Sequence, residues 1–212
     1  MDWKKYVIIA QDSLEERSDM YHYIAKVLGE MLCKDNDEKC TLITYGLEIM
    51  ISSVVTLLIL SFIGAYFHCI RETILFMILY CPLRQYAGGY HASSYTRCNM
   101  FMITAFCVFI FMWKNTMIYI TYGQLTILYT LTVVFIWFHV PVPTANKQLE
   151  EYEFHKYRVK SQRILILEMV IYAIGLLLKK KWVLYVGLSA VCLISILLLS
   201  GIRKEIEVRR TL

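Results

Sequence analysis

"TLITYGLEIMISSVVTLLILSFIGAYF", residues 41–67, carries a single charged residue, Glu48. A helix needs about 20 predominantly apolar residues to cross the hydrocarbon core of a bilayer, so this stretch is long enough to span. In lipid every backbone N–H and C=O must find its partner within the protein, and a helix satisfies them within one segment. The stretch therefore predicts an all-α, integral membrane fold. The rest of the chain agrees: 58% of residues are hydrophobic and 18% charged, and the mean hydropathy is +0.52. These values exclude a soluble globular domain.

Working outward, five further apolar elements follow: residues 73–83, 99–113, 116–138, 164–178 and 182–202. The fold class is thus a polytopic membrane protein of about six hydrophobic helical elements. The shortest, "TILFMILYCPL" (73–83), cannot cross alone and must borrow flanking residues or be re-entrant. Residues 140–163, "VPVPTANKQLEEYEFHKYRVKSQR", read as a polar connection. On the N-terminal side, "MDWKKYVIIAQD" has an apolar core too short for a secretory signal, and residues 1–40 are expected on the cytosolic side. Ser13 and Glu16 form a capping-box pattern. Met20, Ile24, Val27, Leu28, Met31 and Leu32 then recur at helical spacing, predicting an amphipathic helix at the interface or docked on the protein. The whole, 1–212, reads as one membrane-embedded domain: 1–40 N-terminal, 41–202 transmembrane, 203–212 a cytosolic tail.

Charge sets the expected orientation. With the N-terminus inside and six crossings, 17 of the 22 Lys and Arg fall in cytosolic segments and 5 outside. Positive charge collects on the cytosolic side of membrane proteins, which also accounts for the net charge of +5 without nucleic acid. The cluster Lys179–Lys181 lies on the wrong side of this scheme, and nothing in the sequence explains it. The seven cysteines make no paired framework. Cys33 and Cys40 lack zinc-site spacing, His139 and His155 have no spacing partner, and neither a metal nor a cofactor is expected. Glu48 and Glu168 lie within apolar elements, where an acid is a functional candidate or one turned toward the bundle.

In this scheme "RQYAGGYHASSYTRC", residues 84–98, is a polar cytosolic passage between apolar blocks. It holds His91 and Cys98. A thiol attacks as its thiolate, and an adjacent imidazole is the usual means of forming one. On a straight helix seven residues would separate the pair by about 10 Å, so a break or bend is required if they act together. Gly88 and Gly89 supply unusual dihedrals just upstream. A third, orienting residue would be Glu72, Gln85, Asn99 or a backbone carbonyl; a dyad needs none. The bland alternative is a polar loop capping helix ends, with Cys98 merely entering the next span.

Arg84, Gly88 and Gly89, "HA" at 91–92 and Cys98 at the seventh position after His91 resemble the signature of the AgrB family, membrane cysteine endopeptidases of bacterial quorum sensing. "VPVPTANKQL" (140–149) is similar to that family's Pro-containing cytosolic loop, and length and hydropathy agree along nearly the whole chain. The resemblance implies an enzyme of the bacterial plasma membrane, multi-pass, with its active site facing the cytosol. It would cut the C-terminal tail from an AgrD-like propeptide, hold the remainder as a thioester and promote cyclisation to a thiolactone or lactone. By carry-over Cys98 is the nucleophile and His91 the base, then the acid. Arg84 holds a substrate carboxylate or fixes the loop, and Gly88 serves backbone geometry. Tyr86, Tyr90 and Tyr95 are candidate walls against water, or interfacial aromatics. Lys147, Lys156, Arg158 and Lys160 are a positive-inside loop that also suits an acidic substrate tail. The lipid bilayer is the other partner, and a second copy of the chain is a candidate one. The competing reading is a small, non-catalytic membrane transporter or peptide exporter. Such a protein needs polar residues spread through several spans, and these spans hold few.

Overall fold

The computed structural model describes residues 20–32, 37–89, 95–116, 119–142 and 151–211. Among these, seven helices follow in order: α1 (Met20–Leu32), α2 (Asp37–Tyr66), α3 (Ile70–Ala87), α4 (Tyr95–Thr116), α5 (Tyr122–His139), α6 (Glu151–Leu177) and α7 (Lys181–Thr211). The all-α class is as expected. The capping box at Ser13 and Glu16 lies outside the described residues. Four helices are long and apolar enough to cross a membrane: Cys40–Tyr66, Thr96–Thr116, Tyr122–His139 and Lys181–Arg203. The short element 73–83 borrows from both sides to become the 18-residue α3, which carries Arg71, Glu72 and Arg84.

Several boundaries differ from the sequence reading: α4 begins at Tyr95 rather than at residue 99, α7 runs on to Thr211, and two further differences have a visible cause. The span expected from residue 116 begins as α5 only at Tyr122, because Thr121 and Gln124 form a capping box. The Gln124 N–H donates to Thr121 Oγ1 at 3.3 Å, and the Thr121 N–H donates to Gln124 Oε1 at 2.9 Å. The polar connection 140–163 is helical from Glu151 onward, continuous with the apolar element after it. Glu151 and Glu153 in its first turn suit the positive end of the helix dipole.

The chain divides into two compact units, Met1–Leu60 with Ala92–Thr104, and Ser61–His91 with Ala105–Leu212. In the first, α1 docks on α2 through small residues. Ala25 is fully buried, and a Cβ at Gly29 would collide with the Thr44 hydroxyl. Absence of side chains there lets the two backbones approach closely. The Cys40 thiol donates to the Gly29 carbonyl at 3.6 Å. The apolar set Ile24, Val27, Leu28, Met31 and Leu32 stays exposed, so the docked face is not the hydrophobic one.

In the second unit α7 is the shared partner of α3, α5 and α6. Of its membrane-crossing stretch 67% is buried, against 22% for each of the other three. Phe76, Phe109 and Tyr185 stack at 5.4–5.5 Å, within the range of favourable ring pairing. Gly187 lets the stacked pair Tyr129 and Tyr172 lie against α7. At the joint before α3, burial pushes the Cys69 thiol up from its ordinary value, against the pull of the Thr73 hydroxyl.

Candidate functional site

The glycine half of the motif lies in the second unit. α3 ends at Ala87 because Gly88 (φ 72°, ψ −143°) and Gly89 (φ 93°) leave the helical region for one that favours glycine. Two backbone hydrogen bonds then tie this turn to the distant "VPVP" segment. The Gly89 N–H donates to the Val142 carbonyl at 3.1 Å, and the Val142 N–H donates to the Ala87 carbonyl at 3.0 Å. Gly88 and Val142 form a parallel bridge. The fit has no room for a side chain. A Cβ at Gly88 would strike the Val142 carbonyl, and one at Gly89 would lie 2.9 Å from the carbonyl of Leu197 in α7. Val140 and Val142 are buried. The two pieces of sequence that carried the resemblance thus meet through their backbones.

Arg84 sits one turn before the helix end, and its guanidinium donates to the Gly88 carbonyl. This contact joins Arg84 to the glycine turn. Tyr86 turns toward α6: its ring centroid is 5.7 Å from that of Tyr157, and Lys160 Nζ stands 4.7 Å from it. Glu72, buried at the start of α3, lies about 22 Å along the helix axis from Ala87. That distance removes it from the neighbourhood of the glycines.

The cysteine half lies in the first unit. Cys98 is half-buried in the opening turn of α4. The next residue anchors that turn: the Asn99 amide donates to Ser52 Oγ at 3.0 Å, with Ser52 itself buried in α2. One turn earlier on α2, Glu48 is fully buried and its carboxylate lies 2.5 Å from His22 Nδ1 of α1. Neither contact was foreseen. Glu48 and Asn99 were already candidates from the sequence; Ser52 was not, and its place as a polar residue in apolar context was the signal that could have flagged it.

His91 and Lys147 lie outside the described residues, as does Tyr90. α3 ends at Ala87 and α4 begins at Tyr95; residues 90–94, where a break between His91 and Cys98 was expected, lie outside the described residues. The remaining cations of the expected set do not share a face. Lys156 and Lys160 are exposed on one side of α6, whereas Arg158 is half-buried on the other. Among the described residues no three His, Cys, Asp or Glu side chains gather as metal ligands would.

The chain matches the family model described as Accessory gene regulator B over residues 20–199. It is 24% identical over 161 residues to the Putative AgrB-like protein of Clostridium perfringens (strain SM101 / Type A), covering 72% of this chain and 75% of that one. It is also 24% identical over 128 residues to Protein FsrB of Enterococcus faecalis (strain ATCC 47077 / OG1RF), covering 60% and 53% respectively. No solved structure matches. The family match takes in Arg84, both glycines, His91, Cys98 and the segment that pairs with Gly89, and the chain belongs to the AgrB family.

Proposed function

We propose that this protein is a membrane cysteine endopeptidase that processes an AgrD-like propeptide for quorum sensing. The observation that carries the reading is the His91–Cys98 spacing beside a glycine pair whose geometry admits no side chain, within a chain of this family. Cys98 Sγ attacks the scissile carbonyl while His91 takes the thiol proton. The C–N bond then breaks, His91 returns the proton to the departing amine, and the C-terminal tail leaves. The rest of the peptide remains as a thioester on Cys98 until its own thiol or hydroxyl attacks the same carbonyl, closing the ring and restoring the enzyme thiol. Cys98 stands in the first turn of α4, where backbone N–H groups without helical partners suit the oxyanion of each tetrahedral intermediate. The charge asymmetry along the chain supports a cytosolic site.

The test is intact-mass analysis of the enzyme incubated with a propeptide whose internal nucleophile has been replaced by alanine. An adduct on Cys98, lacking the mass of the tail, is the expected result. Complete tail release by Cys98→Ala would end the proposal.

A further inference from the structure

The continuity of α6 through the polar segment creates a surface that the sequence did not show. Ser161, Leu165, Glu168, Tyr172 and Gly175 form its buried stripe. On the opposite side, Lys156, Lys160 and Arg163 are exposed, and the same face continues as Leu167, Val170 and Ile174, also exposed. The spacing of three and four residues keeps all six in one line along a helix. Exposed aliphatic side chains of a membrane protein face acyl chains, so the hydrocarbon edge meets this line between Arg163 and Leu167. The headgroup layer above it is about 5–7 Å deep on each side. At a rise of 1.5 Å per residue, Arg163 stands about 3 Å above that edge and Lys160 about 7 Å above it, at the outer limit of the layer, whereas Lys156, about 13 Å above it, projects into water. A groove of about 310 Å³, lined by Tyr152, His155, Lys156, Val159, Lys160 and Arg163, begins at the height of Arg163 and runs outward along the helix.

We infer that this groove on α6 binds the phosphate headgroup of an anionic phospholipid. One feature favours lipid over peptide: Lys160 and Arg163 stand directly above an exposed apolar stripe that faces acyl chains. The bound lipid's acyl chains lie along Leu167, Val170 and Ile174, and its phosphate meets Lys160 and Arg163. Lys160 also spans to the Tyr86 ring, so the headgroup borders the residue that leads into the glycine turn.

Native mass spectrometry of the full-length protein in detergent, with equal amounts of phosphatidylglycerol and phosphatidylcholine added, tests this without any cleavage assay. The wild type is expected to retain phosphatidylglycerol preferentially. Lys156→Gln, Lys160→Gln and Arg163→Gln together should reduce that preference by about fivefold for each of the two cations at headgroup height, Lys160 and Arg163. The charge-preserving Lys156→Arg/Lys160→Arg variant should keep it, which separates loss of charge from misfolding. Equal retention of the two lipids by the wild type would overturn the inference, as would an unchanged preference in the triple variant. So would displacement of phosphatidylglycerol by millimolar inorganic phosphate, which would mark a site for free anion. An acidic propeptide-tail peptide that displaces the lipid from the wild type would equally overturn it, by assigning the groove to substrate.

Discussion

The two halves of the Gly-Gly-His-Cys motif are held in opposite ways. Gly88 and Gly89 are fixed by what they lack: with no side chains, their backbone packs on Val142 and against the Leu197 carbonyl. Cys98 is placed by what its neighbour has, an amide that bonds Ser52. The first arrangement is steric and tolerates no enlargement. The second is a polar contact beside the thiol proposed as the nucleophile. Damage to the glycine half should therefore appear first as lost stability, and damage to the cysteine half as lost chemistry.

The largest effect should come from Cys98→Ala, which is expected to lower tail release at least about 1,000-fold while leaving the thermal unfolding midpoint in detergent unchanged. His91→Ala should follow, at about 100- to 10,000-fold, the usual contribution of a positioned acid–base group. Both are measured by propeptide cleavage in vesicles. If either variant instead failed to insert or unfolded early, the division between steric and chemical halves would break.

Gly88→Ala should behave the other way. Its φ of 72° and the collision with Val142 predict a loss of about 1–3 kcal/mol from strain alone, seen as a lower unfolding midpoint. Its Cys98 should still react with iodoacetamide at the wild-type rate. A Gly88→Ala protein of full stability would show that the Val142 pairing is dispensable. Asn99→Ala should have the smallest effect, about 0.5–1.5 kcal/mol, with a modest fall in cleavage as the turn carrying Cys98 loosens. Restoration of both by Asn99→Ser paired with Ser52→Asn would sharpen the case for this contact.

The length of an apolar block is a one-dimensional property, so the helical membrane class and six apolar elements were readable from sequence. Which helix lies in the middle was not. α7 has the highest hydropathy of the four spans and is also the most buried, but acyl chains are as apolar as leucine, and hydropathy does not separate lipid contact from helix contact. The start of α5 was readable in Thr121 and Gln124, yet the apolar run before them concealed it. The polar half of α6 was missed because it has no hydrophobic period; its acids at 151 and 153 followed by bases from 156 were the available sign. His91 and Cys98 stood out by residue type and spacing. The pairing of Gly89 with Val142 could not, since a backbone bond between distant segments leaves no mark on side-chain pattern.

The central position of α7 also governs the order in which the protein can be built. A ribosome delivers this helix after α3, α5 and α6, yet all three pack on it, and the carbonyl of Leu197 backs the glycine turn. Until it enters the bilayer, the earlier helices of that unit have no common core and must wait beside the insertion machinery or be held by it. Assembly of the second unit therefore waits on delivery of α7, and ribosomes stalled before residue 181 should leave nascent chains that an intramembrane quality-control protease recognises as unfinished.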